Sequence, residues 1–193
     1  MRSLLHAAAI ARNHTQAILD EARLQALQRQ VDPALLLNSM SELERRYRNE
    51  PDRAERLLES VVEFLRCAMP GLREPISTVE AELRLARAYL NLQQERGSGS
   101  GWKIRELQNE ALNARFPSLL ILPLLGLETN GANSLLTTQV VNGRVKLTLS
   151  GLREESLDFV QPLRARLQSV HGEAVTVHHN PSSVLEITLI AEP

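Results

Sequence analysis

The stretch VDPALLLNSMSEL, residues 31–43, reads as the entry to a helix with a proline close to its start. On either side of it apolar residues recur at helical intervals: Leu24, Leu27, Val31 and Leu35, then Leu36, Met40, Leu43 and Tyr47. Asp32-Pro33 interrupts the pattern, because proline lacks a backbone donor and its ring clashes with the preceding turn; a kink or a helix restart is expected at residue 33. Asn49-Glu50-Pro51-Asp52 then forms a short turn, with Asp52 placed to favour the next helix start. In RAERLLESVVEFLR, residues 53–66, the residues Ala54, Leu57, Leu58, Val61, Val62 and Leu65 make a broad apolar stripe on one helix face.

Two amphipathic helices joined by a tight turn form a hairpin that cannot bury its stripe alone. A second copy would complete a four-helix bundle, so a homodimer is expected, with Leu24, Leu27, Val31, Leu57, Val61 and Leu65 at its interface. A third helix follows in STVEAELRLARAYLNLQQER, where Ser77 and Glu80 have capping-box spacing and Val79, Leu83, Ala86 and Leu90 continue the stripe. GSGSG, residues 97–101, then reads as a flexible linker.

Beyond the linker the period changes. WKIREL (102–107) suits a strand, and PSLLILPLLGLET (117–129) is an apolar helix candidate. Asn142-Gly143 between two β-rich runs is a strong hairpin signal. Leu157, Val160, Leu163, Leu167 and Val170 share a helix face, and AVTVHH and VLEITLI make a closing hairpin. The expected class is α+β: a helical region over 1–75, then over 76–193 an α/β sandwich of about five strands with its helices on one face.

Composition is that of an ordinary globular chain, with 43% apolar and 23% charged residues and a net charge of −1. That balance gives no electrostatic argument for nucleic acid or an anionic membrane. Cys67 is the single cysteine, which excludes an intramolecular disulfide and suits a reducing compartment, with inert packing as its expected role. No apolar run approaches the ~20 residues of a spanning helix, so a soluble, cytoplasmic chain is expected. His178 and His179 sit side by side on a strand and point to opposite faces, so they do not jointly hold a metal; His6 and His171 also stand alone, and no metal site is expected.

The order of hairpin, third helix and β-rich sandwich resembles the internal region and GHKL-type ATPase-like domain of LytS/YehU-type sensor histidine kinases. The family carries its phosphoacceptor in a Pro-His-Phe-Leu-Phe-Asn motif; the corresponding run here is Pro33-Ala34-Leu35-Leu36-Leu37-Asn38. EPISTVEAELRLARAYLNLQQER is similar to the family helix that opens Pro-Leu-x-x-Glu and runs into Tyr-Leu. FPSLLILPLLGLETNGA is similar to Pro-x-Leu-Leu-Leu-Gln-Pro-Leu-Val-Glu-Asn, and residues 157–190 are similar to the last helix and final strand pair.

The departures bear on function. The resemblance puts Ala34 at the phosphoacceptor position, and a methyl group has no nucleophile. It puts Gly126 and Leu127 at the family's Glu-Asn pair, whose asparagine holds the nucleotide's magnesium through an oxygen that leucine lacks. Where the family has an Asp-x-Gly loop for adenine, the chain runs Gly151-Leu152-Arg153-Glu154-Glu155, and no glycine-rich lid follows. A shifted magnesium box on Glu128, Asn130 or Asn133 competes with a plain helix stop at Asn130-Gly131.

The resemblance therefore implies a pseudokinase without cofactor or metal, acting in two-component signalling by binding a response regulator or an active kinase of the same family. Its docking face would comprise Leu35, Leu36, Asn38, Ser39, Glu42 and Arg46. The alternative is a histidine phosphotransferase or kinase component of a phosphorelay, with His14 taking the phosphoryl group. A third possibility is reuse of the former nucleotide cleft for a small ligand.

Overall fold

The computed structural model describes residues 33–99, 101–106, 112–127, 134–141, 144–153, 160–172, 175–180 and 184–190. Helix α1 (Pro33–Asn49) has a proline as its first described residue. Glu50 separates it from α2 (Pro51–Arg73), which opens on proline and carries Asp52 in its first turn. The Leu24, Leu27 and Val31 positions lie outside the described residues, as do His6, His14, Glu128, Asn130 and Asn133.

After α2 come β1 (Ile76–Thr78), α3 (Val79–Glu95), β2 (Trp102–Glu106), β3 (Arg115–Pro117), α4 (Ile121–Leu125), β4 (Ser134–Val141), β5 (Arg144–Ser150), α5 (Val160–His171), β6 (Thr176–Asn180) and β7 (Val184–Ile190). The expected α+β class and five-stranded sheet are observed, in the order β2-β4-β5-β7-β6, with β2 parallel to β4 and the other neighbours antiparallel. Strand alternation sets its two faces. Leu136, Val145, Leu147, Leu149, Leu185, Ile187 and Leu189 are buried, while Thr137, Lys146, Thr148, Glu186 and Thr188 between them are half-exposed. Lys146 and Glu186 pair at 2.9 Å on that open face.

Three local expectations change. The cap of α3 is Thr78 rather than Ser77: its hydroxyl accepts the Ala81 N–H at 3.2 Å, and Ser77 belongs to β1. The long apolar helix over 117–129 reduces to α4, because Pro117 is taken into β3, which pairs with β1 in a two-stranded ribbon the sequence did not announce. Gly97 is a helix stop before it is a linker. Its φ of 79° lets its own N–H reach the Gln94 carbonyl and that of Ser98 reach Gln93, both at 2.9 Å, which closes the last turn of α3.

The largest change concerns what covers the hairpin. Of the α2 stripe, Ala54, Leu57 and Val61 are buried within the single chain, as are Phe64 and Ala68. Their cover comes from α3, which lies alongside α2: Asn91 Nδ2 donates to Ser60 Oγ at 3.0 Å, and the Phe64 and Tyr89 rings sit 6.1 Å apart. Full burial of Leu57, Val61 and Phe64 contributes about 1.5–3 kcal/mol apiece. Leu57 and Val61, expected to face a second chain, therefore face this chain's own core. One continuous core runs from Leu35 through α2 and α3 to the inner face of the sheet, across the boundary between 75 and 76.

Candidate functional site: an uncovered face of the helical hairpin

On α2, Ser60 and Phe64 are turned to α3. Residues two positions apart on a helix point roughly 200° apart, so Leu58 and Val62 are turned away, and each is 45% exposed. Met69 and Leu72 are exposed as well, and Leu65 is half-buried. The spacing 58, 62, 65, 69, 72 alternates steps of four and three, the a/d spacing of coiled-coil helices. Helix α1 adds Met40 and Tyr47, the latter 75% exposed, with Leu36 and Leu43 half-buried beside them. Each hairpin helix thus has two apolar sectors, and among the described residues only one is buried.

The polar side of α1 holds Ala34, Asn38, Ser41 and Arg45, all exposed. Ala34 lies in the first turn of α1, accessible from solvent. The expected docking set divides differently from the sequence-based expectation. Leu35 and Ser39 are buried, and the Ser39 hydroxyl donates to the Leu35 carbonyl at 2.6 Å. Arg46 is committed inward, its Nη1 donating to the Glu95 carbonyl at 2.7 Å at the far end of α3. Neither the two buried residues nor the tied arginine is available to a partner; Asn38 is exposed, and Leu36 and Glu42 are partly so. Glu42 accepts from Arg45 at 2.6 and 3.0 Å and from Arg46 at 2.5 Å. Those hydrogen bonds from Arg45 and Arg46 hold its carboxyl well below the ordinary range, at about 2.

The positions that the family resemblance assigns to magnesium, Gly126 and Leu127, hold no side-chain oxygen. Gly126 ends α4, with its N–H donated to the Leu122 carbonyl at 3.1 Å, and Leu127 packs against the core. Leu152 is buried after Gly151, which needs its φ of 82° and leaves no room for a Cβ beside Ser134. Among the described residues, no group of three or more His, Cys, Asp or Glu side chains could hold a metal ion. None of their helices is long and apolar enough to cross a membrane.

Two features escaped the sequence. Buried Glu82 accepts the Leu119 N–H at 2.9 Å and the Ile121 N–H at 3.2 Å, which fixes the approach to α4 while Leu119 holds a left-handed φ of 59°. A cavity of about 280 Å³ lies between the end of α2 and the start of α3, lined by Glu63, Cys67, Gly71, Ser77, Glu82 and Arg84 among others. Burial and the neighbouring Glu63 carboxylate raise the Cys67 thiol pKa. A capping-type spacing signalled the α3 start, but nothing in the string marks Glu82 as facing a loop 37 residues away.

Residues 22–100 match the family model described as histidine kinase. Sensor protein LytS of Bacillus cereus is 33% identical over 79 residues, covering 41% of this chain and 13% of that protein. The sensor histidine kinase/phosphatase LytS of Staphylococcus aureus strain MRSA252 is 30% identical over 104 residues, covering 54% of this chain and 18% of that protein. The matched segment thus spans less than a fifth of either relative's length. Among solved structures, the histidine kinase AdeS of Acinetobacter baumannii aligns with a TM-score of 0.41 at 13% identity, over 94% of this chain and 98% of that one. A bacterial phosphotransferase aligns with a TM-score of 0.47 at 14% identity, over 89% and 96%.

Proposed function

We propose that this chain, which belongs to the LytS-type histidine kinase family, is a catalytically inactive dimeric scaffold of two-component signalling that binds a response regulator or an active kinase of the same family. The observation that carries the proposal is Ala34, exposed in the first turn of α1 at the position the family resemblance gives to its phosphoacceptor. A methyl group there can present a surface to a partner but cannot take a phosphoryl group. Gly126 and Leu127 add that no side-chain oxygen stands where the family binds magnesium.

The dimer rests on the uncovered sector. A second hairpin seated against Met40, Tyr47, Leu58, Val62, Leu65 and Met69 would complete a four-helix bundle, with α3 flanking it on the side of Ser60 and Phe64. The polar side of α1, with Ala34, Asn38, Ser41 and Arg45, stays open for the signalling partner.

The deciding experiment incubates the full chain with a phosphorylated receiver domain. Complex formation without label on this chain is expected. Acid-labile label that disappears in His14→Ala would replace the scaffold with a phosphotransferase. Millimolar Mg-ATP is expected to leave the melting temperature unchanged, since a ligand that binds the native state must raise it.

A further inference from the structure

A protein whose two halves swing needs a connector that can change φ and ψ without losing contacts. Between the hairpin and the layer that carries the sheet, the connector is residues 74–78, and it is tied along its length. Its strand β1 pairs with β3, placing Ile76 opposite Pro117 and Thr78 opposite Arg115. The Pro75 carbonyl accepts the Ser118 N–H at 3.1 Å, and just beyond the connector the Val79 and Glu80 N–H groups donate to Ala114 and Leu112 at 3.0 and 2.9 Å. At the end of α2, a Cβ on Gly71 would stand 2.9 Å from Leu119, so the hairpin already touches the approach to α4.

Helix α3 is gripped on two sides. Toward the hairpin it buries Phe64 and Ala68 and receives Arg46 on the carbonyl of its last residue, Glu95. On its other side it sends Glu82 to Leu119 and Ile121 at α4, from which one buried core runs on to the inner face of the sheet. Hydrophobic burial dominates these ties, since surface ion pairs such as that of Arg56 with Glu95 at 3.8 Å contribute little.

We infer that the hairpin and the sheet layer form one body with no hinge at 74–78, so that the hairpin's surfaces and the sheet stand in a fixed relation. Such a chain passes a signal by which surfaces are occupied, not by the swing of one half against the other. The inference goes beyond the docking proposal and holds whether or not a partner binds.

Trp102, in β2, is the single tryptophan and reports the sheet layer, while far-UV circular dichroism is dominated by the helices. On heating the full chain, the two signals should share one midpoint to within about 1 °C, as expected of a single cooperative unit. Phe64→Leu, in the α2–α3 seam, should lower both midpoints equally. A second measurement requires no seam variant. Spin labels at Glu59→Cys on α2 and Thr176→Cys on β6, in a Cys67→Ala background and diluted into excess unlabelled chain, should give one narrow distance. Separate transitions, a Phe64→Leu shift confined to the dichroism, or two label distances would each overturn the inference.

Discussion

Glu82→Gln tests the internal clamp most directly. The carboxylate is buried and takes two backbone N–H groups, from Leu119 at 2.9 Å and Ile121 at 3.2 Å. A hydrogen bond to a charged acceptor contributes about 1.5–3 kcal/mol, and a buried donor left without a partner costs about 1–3 kcal/mol. Glutamine keeps one oxygen and turns an NH₂ group toward the other backbone donor, so one bond is lost and one donor is stranded. The expected loss is about 2–4 kcal/mol, or roughly 4–16 °C in melting temperature for a domain of this size. Leu119 magnifies the effect, because its left-handed backbone is held against an intrinsic preference of about 1–2 kcal/mol. Urea titration followed by Trp102 fluorescence measures the loss, and exposed Glu80→Gln serves as a control expected to stay within about 0.5 kcal/mol. Equal midpoints for the two variants would show that Glu82 does not hold the approach to α4.

Val62→Glu, on the uncovered face, should convert the proposed dimer to a monomer by light scattering while leaving the dichroism spectrum intact; a monomeric parent chain would refute the bundle. Gly71→Ala should destabilise by about 1–3 kcal/mol in thermal unfolding, because its methyl would meet Leu119 at 2.9 Å. Glu42 has a lowered pKa, so its contribution is present above the ordinary 4.5 and is lost as pH falls toward about 2. Stability of Glu42→Gln against pH should lack that acid-side increment and, as befits a pair at the surface, differ from the parent by less than about 1 kcal/mol at neutral pH. Cys67, its thiol pKa raised by burial and by Glu63, should alkylate with iodoacetamide more slowly than free cysteine at pH 8.

The periodicities of 54–65, 79–90 and 144–150 already contain the helices and the open-faced sheet, because amphipathic patterning is a local property with its own period. That Ala34, Gly126 and Leu127 carry neither a nucleophile nor a side-chain oxygen was equally plain, since that is a matter of residue identity. Which sector of the hairpin is spent inside the chain could not be read from the same string. Leu57 and Leu58 are adjacent leucines of one stripe, yet one is sealed against the α3 side and the other is left 45% exposed. That choice depends on where α3 returns, and α3 is placed by the β1–β3 ribbon and by Glu82 reaching across 37 residues. Helical period tells which side chains share a face; only the packing of distant segments decides which face is already taken.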